Sequence, residues 1–262
     1  MASSALPLEL YRPIAEHLDS RDDVHRWMRA NWFCYRELEN IFYRKLDLNH
    51  PNLDTIERVL SGFETSPRRA SYVLNLTLRS NTLYPSPKLT AISTLLLQLT
   101  NLRHLELECS STDLGGLLDD CSFQLQRFEF NGDDDLYLPR FLASQPRIQH
   151  LSIRYYRSTT ELPSTTLPHL RILDGPTNVA MALMPTRSVE RLFWRSSGTA
   201  YLDKAGPFPA VKVLKLAHHS LHGMGLENSL PSLRFLECEG DWFDVCISPF
   251  LHSRCNPLRS GW

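Results

Sequence analysis

The sequence lacks several things at once, and each absence removes a class of function. Six cysteines are present (Cys34, Cys109, Cys121, Cys238, Cys246 and Cys255), but no two form a C-x-x-C pair. Zinc-ribbon and thioredoxin-like readings find no support, and scattered thiols suit a reducing compartment, where they pack as small apolar groups. No charge of one sign dominates: 28 Lys and Arg stand against 29 Asp and Glu, a formal charge of −1 over 262 residues. Nucleic-acid binders usually carry a strongly basic face, so this balance argues against that class. No apolar run approaches the roughly 20 residues that a membrane span needs. Residues 1–12 lack the charged-then-apolar layout of a secretory leader. The expected setting is cytosol or nucleus, with no nucleic-acid or membrane partner.

The motifs of bond chemistry are missing too. There is no G-x-x-x-x-G-K-[ST] phosphate loop, no G-x-S-x-G elbow and no G-x-G-x-x-G fingerprint. Asp133-Asp134-Asp135 reads as a solvated loop, because a hard cation needs several oxygens converging at fixed geometry. His218, His219 and His222 lack the glutamate of H-E-x-x-H. No metal and no cofactor is expected, and the chain is not expected to be an enzyme.

What the sequence has is a repeat. An L-x-x-L-x-L triplet occurs at Tyr43/Leu46/Leu48, Val73/Leu76/Leu78, Leu102/Leu105/Leu107, Leu125/Phe128/Phe130 and Ile148/Leu151/Ile153. It returns at Leu170/Leu173 with Gly175 in the third place, then at Val189/Leu192/Trp194, Val211/Leu214/Leu216 and Leu233/Leu236/Cys238. Successive first members are 30, 29, 23, 23, 22, 19, 22 and 22 residues apart. Alternate residues of a strand face opposite sides, so the second and third members of each triplet point inward together. Each unit must return through a helix or an irregular arc, which stacks the strands in parallel. Helical stripes fit the arcs at Leu53/Ile56/Leu60 and at Leu89/Ile92/Leu95/Leu96/Leu99. Pro146, Pro168, Pro185, Pro209 and Pro231 sit a few residues before five strands, where a helical arc should stop. The spacing resembles leucine-rich repeats in an irregular form. Past Cys238 no further clean unit is visible; Trp242, Phe243 and Phe250 either fold back as an irregular cover or precede more repeats.

Residues 6–48 are different. Leu10, Ile14 and Leu18 recur at a spacing of four, interrupted by Pro13, which should kink the helix or mark where its regular part begins. Ser20 is placed to cap a second helix with Asp22 and Asp23 near its positive end and Val24, Trp27 and Met28 on its apolar stripe. Trp32, Phe33, Tyr35 and Leu38 suit a third. The segment resembles an F-box, the helical module that docks on the Skp adaptor of Skp–cullin–F-box ubiquitin ligases. The resemblance rests on the opening Leu6-Pro7-x-Glu9-Leu10, the spaced Ile14 and Leu18, and the exit Phe42-Tyr43-Arg44. Arg21-Asp22-Asp23-Val24-His25 departs from it, where the family more often has an apolar run.

The resemblance implies a fold of the α/β class: a three-helix F-box over residues 1–45, then an irregular leucine-rich-repeat solenoid over 46–262 with a parallel sheet on its concave face. It implies a substrate receptor of a cullin-based ligase, with Leu6, Pro7, Leu8, Leu10, Ile14, Val24 and Trp32 at or near the adaptor-facing surface. A target protein would lie on the repeat face, gripped by Arg154, Arg191, Phe193 and Arg195, because arginine and aromatics are enriched at binding hot spots. The absence of a Gly/Ser-rich linker before Leu46 implies a stiff joint. Arg68-Arg69-Ala70-Ser71 resembles a basic-directed phosphorylation site. The rival readings are a repeat scaffold with a helical N-terminal cap and no ubiquitin role, and an enzyme on an α/β frame.

Overall fold

The computed structural model describes residues 7–18, 20–30, 32–49, 51–80, 86–109, 115–118, 120–132, 137–154, 165–195, 207–217 and 230–239. The fold is mixed α/β. Nine strands follow one another in the sheet in chain order, β1 to β9, and every pair whose register is assigned is parallel. The chain divides into two compact units, Met1–Glu106 with Gly116–Gln124, and Leu107–Gly115 with Leu125–Trp262.

The first unit opens with α1 (Leu8–Glu16), α2 (Arg21–Met28) and α3 (Trp32–Tyr43). Each gives the small core a pair of residues one turn apart: Tyr11 and Ala15, Val24 and Met28, Cys34 and Leu38. The Tyr11 and Trp27 rings lie 5.4 Å apart between centroids. The Ser20 hydroxyl accepts from the Asp22 N–H at 3.2 Å, the cap that the sequence places there. α1 runs through Pro13 rather than beginning at it. Only Arg44 separates α3 from β1 (Lys45–Asn49), and its carbonyl accepts the N–H groups of Leu74 and Asn75 at the start of β2 (Asn75–Ser80). The helical head shares a compact unit with the first strands. α4 (Leu53–Thr65) buries Ile56 and Phe63, α5 (Arg68–Tyr72) adds one turn the repeat pattern does not announce, and α6 (Ser86–Gln98) buries Ile92, Leu95 and Leu96 ahead of β3 (His104–Cys109).

The second unit continues with α7 (Gly115–Leu118), most of which falls in the first, and then β4 (Arg127–Asn131), α8 (Leu138–Ala143), β5 (His150–Ile153), β6 (Ile172–Pro176), α9 (Thr177–Leu183), β7 (Arg191–Arg195), β8 (Val213–Ala217) and β9 (Phe235–Glu239). The triplets set the register: Phe128 stands opposite Leu151, Leu151 opposite Leu173, Leu173 opposite Leu192, Leu192 opposite Leu214 and Leu214 opposite Leu236. Gly175 faces Trp194, so the smallest third member meets the largest. Trp194 is fully buried, and its indole N–H donates to the Thr177 hydroxyl at 2.9 Å.

Pro146 follows the end of α8 and Pro185 the end of α9, where a helical arc stops, and all five prolines also sit in a turn. In Gln145-Pro146-Arg147-Ile148 the Ile148 N–H donates to the Gln145 carbonyl at 3.3 Å, and the same closure joins Leu170 to Leu167, Arg187 to Met184, Val211 to Phe208 and Leu233 to Leu230. Each proline is the second residue of a four-residue turn, where its fixed φ is already correct. The residue before it is buried in every case, which makes it a further inward member of the repeat. Gln145 uses this place to accept the buried Leu125 N–H on its side-chain oxygen at 2.9 Å.

Candidate interaction surfaces

In the head, the same helices that build the core leave a second apolar set outside it. Leu10 and Ile14 are one turn apart on α1 and are 44% and 39% exposed. Trp32 and Phe33 open α3 at 63% and 60% exposure. Apolar side chains left this open gain little from folding, since burial is what makes them favourable; the Trp32 ring stacks on Tyr35 with centroids 5.9 Å apart. Of the residues expected to face the adaptor, Pro7, Leu10, Ile14 and Trp32 are exposed, whereas Val24 is buried between the helices. Leu8 is the first residue of α1, and Leu6 lies outside the described residues. Phe33 belongs to the exposed set too, and its position beside Trp32 could have signalled this.

A buried polar network ties α3 to α5. Glu39 on α3 is 1% exposed and is a buried carboxylate. It accepts from Arg69 Nε at 2.9 Å, from the Tyr35 hydroxyl at 2.9 Å and from Arg68 at 2.8 Å. Arg69 also donates to Tyr35 Oη at 2.6 Å and to the Gly62 carbonyl at 3.3 Å, and lies over the Tyr43 ring. Burial pushes the Glu39 carboxyl up, but hydrogen bonds from Arg69 and Tyr35 and the charges of Arg68 and Arg69 more than offset it, so it sits below its ordinary range. Burial and the bond to Glu39 raise the Tyr35 phenol. Both arginines of Arg68-Arg69-Ala70-Ser71 are thus engaged by Glu39, and the Ser71 hydroxyl donates to the Arg68 carbonyl at 2.7 Å.

On the sheet of the second unit, the side chains between the triplet members form rows. One is Glu129, Ser152, Asp174, Phe193, Lys215 and Glu237, in register from β4 to β9. Its acids are engaged from within: Arg127 with Glu129, Lys215 with Glu237 at 3.2 Å, and Arg195 with Asp174 through two bonds of 2.5 and 2.8 Å. Asp174 also accepts from Ser152 at 3.1 Å. The proposed target grip therefore divides. β7 places Arg191, Phe193 and Arg195 on one face, with Leu192 and Trp194 buried between them. Arg195 is held by Asp174, Arg191 has no ion pair among the described residues, and Arg154 is exposed just past the end of β5.

No known protein-family model matches the chain, and no curated protein matches it.

A half-buried cation stands in the turn before β7. Arg187 donates to the Thr166 carbonyl at 2.6 Å through Nε and again through Nη2, and to the Leu183 carbonyl at 3.1 Å. Burial lowers its pKa. Next to Thr166, Leu167 holds φ of 58°, an uncommon conformation for a residue with a branched side chain, so the guanidinium fixes the backbone where it is strained. A cleft of about 280 Å³ is lined by residues 184–189 and 207–211; it is small beside ligand pockets of roughly 300–1,000 Å³. Among the described residues no group of His, Cys, Asp or Glu is arranged to hold a metal ion, and no helix is long and apolar enough to cross a membrane. Asp133–Asp135 and His218, His219 and His222 lie outside the described residues, as do Trp242, Phe243 and Phe250.

Proposed function

We propose that the chain is a substrate receptor of a Skp–cullin–F-box type ubiquitin ligase, working in cytosol or nucleus. Its N-terminal helices dock on the Skp adaptor and its repeat sheet holds a target protein. The observation that carries the reading is the exposed set Leu10, Ile14, Trp32 and Phe33 on a head whose core is complete without them. Apolar groups left out of a core beside a sequence resembling an F-box are a docking surface for a protein partner. The Glu39 network supports the second half of the reading. A receptor accelerates transfer by holding a target lysine near the charged conjugating enzyme, which requires that the head and the first repeats not swing freely. No residue of this chain does bond chemistry in this scheme.

The same network also favours one rival, a repeat scaffold whose helices merely cap the sheet, because a cap needs firm attachment too. Co-purification with the Skp adaptor separates the two. The receptor forms a stoichiometric complex that is lost in a Trp32→Ser/Phe33→Ser variant, while that variant stays folded and gives up about 0.5–1.5 kcal/mol with the stack of Trp32 on Tyr35. A folded parent that ignores the adaptor establishes the scaffold instead.

A further inference from the structure

The sheet face of the second unit is charge-balanced in its middle row and unbalanced at the margin where its strands begin. The margin consists of two adjacent rows. In one, the Gln149 carbonyl receives the N–H groups of Arg171 and Ile172, that of Arg171 receives Glu190 and Arg191, that of Glu190 receives Lys212 and Val213, and that of Lys212 receives Arg234 and Phe235. The other is Ile172, Arg191, Val213 and Phe235 in direct register. Lys212 and Glu190 pair with each other at 3.4 Å. Arg171, Arg191 and Arg234 are exposed, and none has an ion-pair partner among the described residues. Between them Ile172 and Val213 are half-buried, and Phe235 is 65% exposed.

We propose that this margin binds an extended acidic peptide segment of a partner protein, with carboxylates on Arg171, Arg191 and Arg234 and an apolar side chain against Val213 and Phe235. The proposal rests on the target-binding reading of the sheet and moves its centre from Arg195, whose guanidinium Asp174 already occupies, to the strand starts. Charge complementarity selects the partner: three guanidiniums with no counter-charge among the described residues attract carboxylates, each able to take two bonds from one arginine. Geometry selects its form. Neighbouring strands lie about 4.8 Å apart, so the three intervals from β6 to β9 span roughly 14 Å. An extended peptide advances about 3.3 Å per residue, and a chain crossing the strands meets Arg171 and Arg234 with acids some four residues apart. The apolar side chains interspersed among the arginines, Ile172, Val213 and Phe235, disfavour a nucleic acid, which would present further phosphates there.

The test is fluorescence anisotropy of the full chain with a fluorescein-labelled peptide centred on Glu-Glu-Leu-Phe-Glu-Glu. Three comparisons accompany it: the same peptide with Lys for Glu, the same with Ser for Leu and Phe, and a single-stranded oligonucleotide of equal charge. The acidic peptide should bind, weaken as salt is raised, and exceed the other three. Arg171→Ala/Arg191→Ala/Arg234→Ala should weaken it ~10-fold or more, and Phe235→Ser should reduce it with the salt dependence retained. Circular dichroism checks that each variant is folded. Absent binding, binding unchanged in the triple variant, or tighter binding of the oligonucleotide overturns the proposal. Adaptor co-purification on the same preparations keeps the two readings apart: adaptor bound without the peptide sinks this inference alone, and peptide bound without adaptor sinks the ligase role alone.

Discussion

Replacing Glu39 with alanine should destabilise the first unit by about 3 kcal/mol. Three bonds end on this carboxylate. Arg68 is 54% exposed, and an ion pair with that much water access contributes roughly 0–1 kcal/mol. Arg69 is 20% exposed, and a hydrogen bond to a charged group in such a place contributes about 1.5–3 kcal/mol. The Tyr35 bond adds about 1 kcal/mol. Arg69 keeps its bonds to Tyr35 and the Gly62 carbonyl, so the loss stays at or below the roughly 3–5 kcal/mol of a fully abandoned buried partner. Glu39→Gln keeps an acceptor for Tyr35 and loses the charge, which places it between parent and alanine. The carboxyl titrates below its ordinary range in the folded chain, so its contribution is complete above the unfolded value near 4.3 and is lost as pH falls through the lower folded value. Urea unfolding followed by circular dichroism, with unchanged slope, reads both effects. A midpoint shift worth less than about 0.5 kcal/mol for the alanine variant, or a parent-to-glutamine gap that does not shrink between about pH 6 and pH 3, refutes the reasoning.

Two further substitutions probe the second unit. Arg187→Ala removes the donor that holds the Thr166 and Leu183 carbonyls beside the strained Leu167; a loss of about 2–3 kcal/mol in urea is expected, with faster amide exchange at residues 166–170. Gln145→Leu keeps the volume of a buried turn residue but leaves the Leu125 N–H without its acceptor, which should cost about 1–3 kcal/mol. Gln145→Glu, which restores an acceptor, should behave differently at acid and neutral pH in the same assay.

The register of the sheet was legible because it has one dominant cause. Inward-facing positions of stacked parallel strands are dry, so the triplets had to be apolar, and their spacing then fixes which residues stand opposite one another. Gly175 and Trp194 break the pattern in size but not in place, because the two face each other. The turn before each strand was less legible. Its inward member varies among Gln145, Leu167, Met184, Phe208 and Leu230, and a buried glutamine reads as a surface residue until its backbone partner is known. Glu39 is hidden for the same reason: its partners Arg68 and Arg69 lie some thirty residues on, beyond the reach of helical periodicity. In the head, Leu10/Ile14 and Tyr11/Ala15 share a spacing of four, and sequence alone does not say which pair is the core. The structure buries Tyr11 and Ala15, which is what leaves Leu10 and Ile14 exposed.

Net charge conceals the feature on which the proposed target recognition turns. Counted over the chain, cations and anions nearly cancel, which argues against a strongly basic binder. In the middle row of the sheet the cancellation is local: Glu129, Asp174 and Glu237 each neutralise a cation within hydrogen-bonding reach, and the field that remains is screened within about 8–10 Å at ordinary salt. At the strand starts, Lys212 with Glu190 is the comparable pair, and Arg171, Arg191 and Arg234 remain uncompensated among the described residues. A hot spot needs a desolvated anchor with complementary charge around it. Phe235, 65% exposed beside those arginines, is open for a partner to desolvate, whereas Arg195 must first break two bonds to Asp174 before it can contribute.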